Sequence, residues 1–457
     1  MNWDTDAARR YHERTKHTFE SVRRSARLLD WDNRPHPFKE YADLEAVPLP
    51  EKHDLSWLLR WGAGVVRTRG LGPETYHFRT YSSAGALYPV EVYAACANLT
   101  ELAAGLYHFH PLKRALSTLR TGDVRGFVAT AAADASLTEA ETVLTLTGIL
   151  WRTAWKYEAR GYRHLYWDAG TMLANFLALA ACAGEEARVL TGFVDRDLNH
   201  LVGVDGKHEA ALALLAVGTA PASPPGNDVP PLDLETAPLS RDERDYPEAS
   251  AVHSASSLAN ADEVRRYRGR WSSRPEPADL GLSRADLEGV LRRRGSVRDF
   301  RLDPVPAEEL AAVLAYAAAE IPMDVPPHGE IYLVVNAVEG LAPGAYRFEA
   351  PAAFELLREG SFRREAGYLA LEQPLGARAA ATIFFLADLE ETLAAHGNRG
   401  YRAAQLEAGI RAGRVYLAAF ARGLGATAST FYDDDVTAFF VPGTTKAPML
   451  CVAVGRR

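Results

Sequence analysis

The second half of this chain repeats its first. Gly105-Leu106-Tyr107-His108-Phe109 returns as Gly344-Ala345-Tyr346-Arg347-Phe348, a separation of 239 positions. The same 239 joins Gly161-Tyr162-Arg163 to Gly400-Tyr401-Arg402, Ala169-Gly170 to Ala408-Gly409, Gly184 to Gly423 and Asp195 to Asp434. A separation that stays constant over well over a hundred residues implies two copies of one α+β fold. Two like units in one chain pack most economically as a fused pseudo-twofold dimer.

At 457 residues the chain has room for two cores, and 47% hydrophobic with 24% charged residues is an ordinary balance for them. The net charge of -8 and pI of about 5.9 argue against nucleic acid or an anionic membrane as a general partner, leaving small molecules, peptides or proteins. Cys96, Cys182 and Cys451 lie in apolar runs without metal-ligand spacing, so neither a metal centre nor a disulfide framework is expected and a reducing compartment fits. The opening residues lack a basic-then-apolar signal, and no apolar run reaches membrane-spanning length, which reads as a cytoplasmic protein.

Four stretches follow along the chain. Residues 1–50 read as an arm, helical around Tyr11-His12-Glu13-Arg14 and broken by proline at Asn33-Arg34-Pro35-His36-Pro37. Residues 51–220 form the first unit, from an amphipathic helix at Asp54 to a strand over Ala210 to Gly218. Residues 221–283 read as a Pro-rich linker too poor in apolar periodicity to pack a core, and helical spacing resumes near Ser283 to open the second unit, 284–457.

Candidate site residues gather on a few segments. Ser82-Ser83-Ala84-Gly85-Ala86-Leu87-Tyr88-Pro89 feeds a strand, and its small residues let something flat approach the backbone; an ordinary glycine turn is the equal alternative. The basic run Arg292 to Arg298 offers guanidinium forks for a phosphate at a helix-to-loop junction, or is simply a solvated face. Lys156-Tyr157 is an acid–base pair or a surface lysine beside a packing tyrosine. His108 and His110 share a strand face without a third ligand and read as a solvated edge, and Asp433-Asp434-Asp435 as first-turn helix charges.

These residues carry a resemblance. Arg294-Gly295-Ser296-Val297-Arg298-Asp299-Phe300, with Gly423-Leu424-Gly425-Ala426, resembles the flavin-dependent nitroreductase fold, a family of FMN-binding homodimers. Tyr11-His12-Glu13-Arg14-Thr15-Lys16-His17, Ser83 to Pro89, Gly105-Leu106-Tyr107 and Ala154-Trp155-Lys156-Tyr157 resemble its SagB-type branch, which includes dehydrogenases that oxidise azolines to azoles in ribosomal peptides. The chain departs from that branch at Ser82, where the family usually has proline.

The resemblance implies an FMN held between the two units. Arg294, Ser296, Arg298, Arg456 and Arg457 would hold its phosphate and ribityl chain, and Ser82, Ser83, Ala84, Gly85 and Leu87 would line the ring. Thr427, Ala428 and Ser429 would pass its reactive edge. Lys156 and Tyr157 would be the catalytic pair, one of them brought towards neutrality by desolvation beside a cation. At the separation of 239, Ser82 to Pro89 fall on Ile321 to His328, which has neither the serines nor the glycine, and Lys156-Tyr157 fall on Ala395-His396. Phe38-Lys39-Glu40 stands where the first unit should have a basic cluster, so one flavin site of two is expected. Three functions stay open: an FMN-dependent dehydrogenase of a heterocycle in a peptide or natural product, working beside biosynthetic partner enzymes; an NAD(P)H-dependent nitro or quinone reductase; and a non-catalytic flavin- or peptide-binding scaffold.

Overall fold

Both halves of the chain order their strands alike. In the computed structural model, which describes residues 1–25, 28–50, 53–71, 74–226 and 228–457, one sheet runs Ala46–Pro48, Ala115–Thr121, Gly105–His110, Val90–Cys96, Ala140–Ile149, Glu209–Thr219, Ala187–Leu190. The other runs Ala353–Glu359, Gly344–Glu349, Gly329–Val335, Ala381–Asp388, Lys446–Gly455, Gly425–Ser429. Apart from the short Ala46–Pro48, every strand has its counterpart at the same place, and all neighbours are antiparallel. The fold is therefore α+β and duplicated. Residues 51 and 52, where the first unit was expected to begin, and residue 227 lie outside the described residues.

The units meet along two helices, Gly161–Ala183 and Asn398–Ala421, each buried over nearly its whole length. Glycine sets their approach. A Cβ on Gly170 would stand 2.4 Å from the Leu406 carbonyl oxygen, one on Gly409 2.6 Å from that of Trp167, and one on Gly413 2.5 Å from the Ala174 Cβ. Any larger residue would push the helices apart. Gly170 and Gly409 are a repeat pair, so the pseudo-twofold axis passes between them.

Four arginines close the interface crosswise. Arg160 and Arg163 reach Asp433 at 3.0 and 2.7 Å, and their repeat counterparts Arg399 and Arg402 reach Asp195 at 2.6 and 2.9 Å. Burial pushes each carboxyl up, but the paired guanidiniums overrule it and hold Asp433 well below the usual carboxylate range and Asp195 lowered. Asp433, which opens the helix Asp433–Phe440, is therefore the counterpart of Asp195, one position short of the Asp434 that the separation of 239 picks out, and Asp434 faces Lys16 at 2.8 Å.

The stretch 221–283 corrects an expectation, because it packs. Pro247–Ala255 and Ala261–Arg268 are helices, and Val252, Val264 and Tyr267 are fully buried. Its first helix repeats the arm helix Asp6–Arg14, 241 positions earlier. Arg163 donates to the His12 carbonyl at 2.8 Å and Thr15 Oγ1 at 2.9 Å; Arg402 donates to the His253 carbonyl at 2.5 Å and Ser256 Oγ at 2.7 Å. The backbone N–H groups of His17 and Leu258 each donate to the aspartate of their own clamp at 2.9 Å. Short polar contacts with buried arginines do this work, which is why apolar periodicity missed it. His108 and His110 also differ from expectation: both are buried, within 3.0 Å of Glu91 and 2.8 Å of Glu40 respectively, instead of forming a solvated edge.

Candidate functional site

The serine loop joins strand Glu74–Arg79 to Val90–Cys96 and lies on the first long helix. Asp168 of that helix accepts from Ser83 Oγ at 2.5 Å and from the Ala84 N–H at 3.0 Å, while Thr171 Oγ1 donates to the Ser82 carbonyl at 2.5 Å. Ser83 Oγ also accepts the Tyr88 N–H at 2.9 Å, so the hydroxyl expected to face a ring is committed beneath the loop. Leu87 is buried against Trp151 and Trp155. Gly85 turns at φ 63°, in the left-handed region that favours glycine. A Cβ there would stand 3.0 Å from Tyr157 Oη and 3.3 Å from Lys156 Nζ. The last turn of helix Leu150–Tyr157 thus sets Lys156 and Tyr157 against the glycine of this loop.

The second unit approaches from the other side. Arg294, at the end of helix Arg284–Arg293, is buried and donates to the carbonyls of Thr80 at 2.8 Å, Arg79 at 3.0 Å and Tyr81 at 2.8 Å. That corrects its reading as a phosphate fork: it clamps one unit onto the base of the other's loop. Arg298 is exposed, and its charge acts on both Lys156 and Tyr157. Ser296 Oγ lies 3.1 Å from Tyr416 Oη, and Arg67 of the first unit reaches the same segment, its Nη2 3.7 Å from a Cβ on Gly295. Arg67 escaped the sequence reading because it stands in an ordinary hairpin.

The remaining predicted residues divide. Thr427 turns its hydroxyl inward to the Val297 carbonyl, the Ala428 N–H donates to Tyr416 Oη at 2.6 Å, and Ser429 Oγ accepts from Gln373 at 2.7 Å. Arg456 donates to the Pro304 carbonyl at 3.0 Å, whereas Arg457 is exposed and lies 5.2 Å from the Phe420 ring centre.

The pair's two members are driven apart electrostatically. Burial lowers the Lys156 ammonium from its ordinary value, and the charges of Arg298 and Arg34 add to this. Burial raises Tyr157, the charge of Asp168 adds to it, and Arg298 only partly opposes. Only the lysine therefore moves towards the base role expected of either; the tyrosine stays a proton donor. Its ring stacks on His164 at 4.1 Å and 9°, an imidazole that burial depresses to about 3 and so keeps neutral.

Asp168 is the site residue that sequence reading missed, although a signal existed: each long helix carries a single acidic residue, and Asp168 and Glu407 are 239 positions apart. Burial pushes the Asp168 carboxyl up to about 7 against its two hydrogen bonds. A carboxyl raised in the folded state contributes stability that is complete below the usual carboxylate range and is lost as pH rises towards 7. Asp168→Asn cannot ionise and is expected to raise the unfolding midpoint at pH 8 but not at pH 4, by at most roughly 4 kcal/mol. Calorimetry at both pH values checks this; equal shifts would show that ionisation is not the source.

The repeat-related place in the other half is filled. Asp324 stands at the Gly85 position, accepting the N–H groups of Thr191 at 2.8 Å and Gly192 at 2.9 Å and pairing with Arg268 at 2.8 Å. The first half has Gly85 in place of that carboxylate, and the backbone N–H groups of Thr430 and Phe431, in the segment that leads into Asp433, have no acceptor recorded among the described residues.

Two α+β units of like strand order, packed along their long helices, define a duplicated nitroreductase-type fold. The profile of the nitroreductase family matches residues 43–219 and again 291–456, so this chain belongs to the nitroreductase family and contains it twice. It is 32% identical over 184 residues to the protein assigned as nitroreductase MJ1384 of Methanocaldococcus jannaschii, across 37% of this chain and 91% of that protein. It is 30% identical over 146 residues to the microcin B17-processing protein McbC of Escherichia coli, across 31% of this chain and 54% of that protein. A crystal structure assigned as a nitroreductase from Anabaena variabilis superposes with a TM-score of 0.83 at 27% identity, covering 98% of this chain and 99% of that one. The kinship with McbC supports the SagB-type branch.

Proposed function

We propose that this protein is an FMN-dependent dehydrogenase of the SagB type that oxidises a heterocycle or related bond in a peptide or natural product. The observation carrying this reading is that Lys156 and Tyr157 lie against Gly85 in one half, while the other half has Ala395, His396 and Asp324 at those positions. FMN fits the residues present, because Gly85 leaves this loop without the carboxylate that Asp324 puts at the repeat position, and the nearby N–H groups of Thr430 and Phe431 have no acceptor recorded among the described residues. Arg298, Ser296, Arg457 and Arg67 would hold the phosphate and ribityl chain. When bound, the flavin supplies the hydride acceptor.

The chain's own groups do the rest. Lys156 Nζ, lowered by burial and by Arg298, takes the proton from the carbon being oxidised. Tyr157 Oη, kept protonated, hydrogen-bonds the substrate and orients it. The name of McbC, a microcin B17-processing protein, supports a peptide substrate, and we propose partner enzymes of one biosynthesis beside this chain. No helix among the described residues is long and apolar enough to cross a membrane, and we place the protein in the cytoplasm.

One FMN per 457-residue chain is expected, since only the first half of the sequence keeps the serine–glycine loop and Lys156-Tyr157. Released flavin measured against protein checks this, and a ratio near two would overturn the single-site reading.

A further inference from the structure

We propose that Asp168 is a positioning residue that sets the shape of the loop from Ser82 to Gly85, and hence the fit of the flavin, through a proton shared with Ser83. The inference rests on reading that loop as the flavin loop. Ser83 O–H and Ala84 N–H converge on the two oxygens of one carboxylate, a pattern in which both oxygens must accept. If Asp168 takes a proton from solvent, one oxygen becomes a donor. The Ala84 N–H can only donate, so the proton goes to Oδ2. Ser83 Oγ, already accepting the Tyr88 N–H, then accepts from Asp168 too, and its own hydrogen is released from the carboxylate.

The degenerate copy shows why this carboxylate is different. Glu407, where Asp168 holds one O–H and one N–H, holds two N–H groups, those of His328 at 2.7 Å and Gly329 at 3.0 Å. Arg411 Nε sits 2.7 Å from it, and against its burial this guanidinium holds the carboxyl below its ordinary value. Among the described residues no guanidinium bonds Asp168: Arg79 acts on it from a distance, and the phenols of Tyr81, Tyr88 and Tyr157 also face it. Burial therefore pushes its carboxyl up to about 7. One copy is locked and the other is free to change protonation.

The test is hydrogen exchange of the 80–90 segment in the full chain between pH 6 and pH 8, corrected for intrinsic rates, with FMN affinity measured in parallel by fluorescence. For an opening that lifts the loop while Asp168 stays buried on its helix, protection at Ala84 and Tyr88 is expected to rise about tenfold with pH, since the two loop bonds favour the ionised carboxyl, and FMN to bind more tightly with it. Asp168→Asn should abolish the rise in both, and Asp168→Glu should retain it with a moved midpoint. Ser83→Ala, which removes one donor to the carboxylate, should move the midpoint upward and keeps the test decisive if the Asn variant does not fold. An unchanged pH response in Asp168→Asn, or an unmoved midpoint in Ser83→Ala, would overturn the proposal. A chain that takes up no FMN at any pH would overturn the flavin reading alone, with the exchange arm still deciding the clamp.

Discussion

Lys156→Ala and Tyr157→Phe are expected to leave the protein folded and flavin-bound yet to slow flavin reduction by its substrate about a hundredfold to ten-thousandfold. Folding should survive because the Lys156 stem reaches the surface even though its ammonium is shielded, and Tyr157→Phe keeps the ring that stacks on His164. Flavin retention should survive because the basic residues assigned to the phosphate lie on other segments. The lysine should carry the larger loss. Its rate limb should rise with pH at a value below that of an ordinary lysine, because burial, Arg298 and Arg34 all disfavour its charge. Substitutions at Ala395 or His396 should change the bleaching rate little, since the second half lacks the serine–glycine loop and Asp324 is bonded to Thr191 and Gly192 there. Anaerobic single-turnover bleaching of the flavin absorbance measures each variant. Full-rate bleaching in the double variant would make the pair structural and favour a nitro or quinone reductase.

Asp433→Ala is expected to cost about 3 to 5 kcal/mol of stability, because it leaves two buried guanidiniums facing each other without a counter-charge. Arg160 and Arg163 are both buried, and their bonds to Asp433 join the two units. Asp195→Ala should behave alike through Arg399 and Arg402, since the two clamps are repeat copies. The held-down Asp433 carboxyl contributes stability that is complete above the usual carboxylate range and is lost as pH falls towards its folded value. The difference between wild type and Asp433→Ala should accordingly shrink in acid. Urea unfolding at neutral and acidic pH reads both quantities, and a loss below about 1 kcal/mol at neutral pH would mean that the clamp adds little.

A separation of 239 positions is a property of the chain alone, so the duplicated fold and the loss of one loop could be read by counting. The same counting showed that Lys156-Tyr157 survives in one copy only, because a deleted side chain is deleted in any conformation. The arm-like helix Pro247–Ala255 was invisible to it, since the contacts that bury this helix are made to arginines over a hundred residues away. Composition likewise could not divide the basic run. Arg294 and Arg298 look alike in the sequence, and only the fold brings the carbonyls of Arg79, Thr80 and Tyr81 to the first while leaving the second exposed. Nor could it assign protons. The charge of Lys156, Tyr157 and Asp168 depends on how much water each has lost and on which charges stand nearby, and both are set by neighbours in space rather than along the chain.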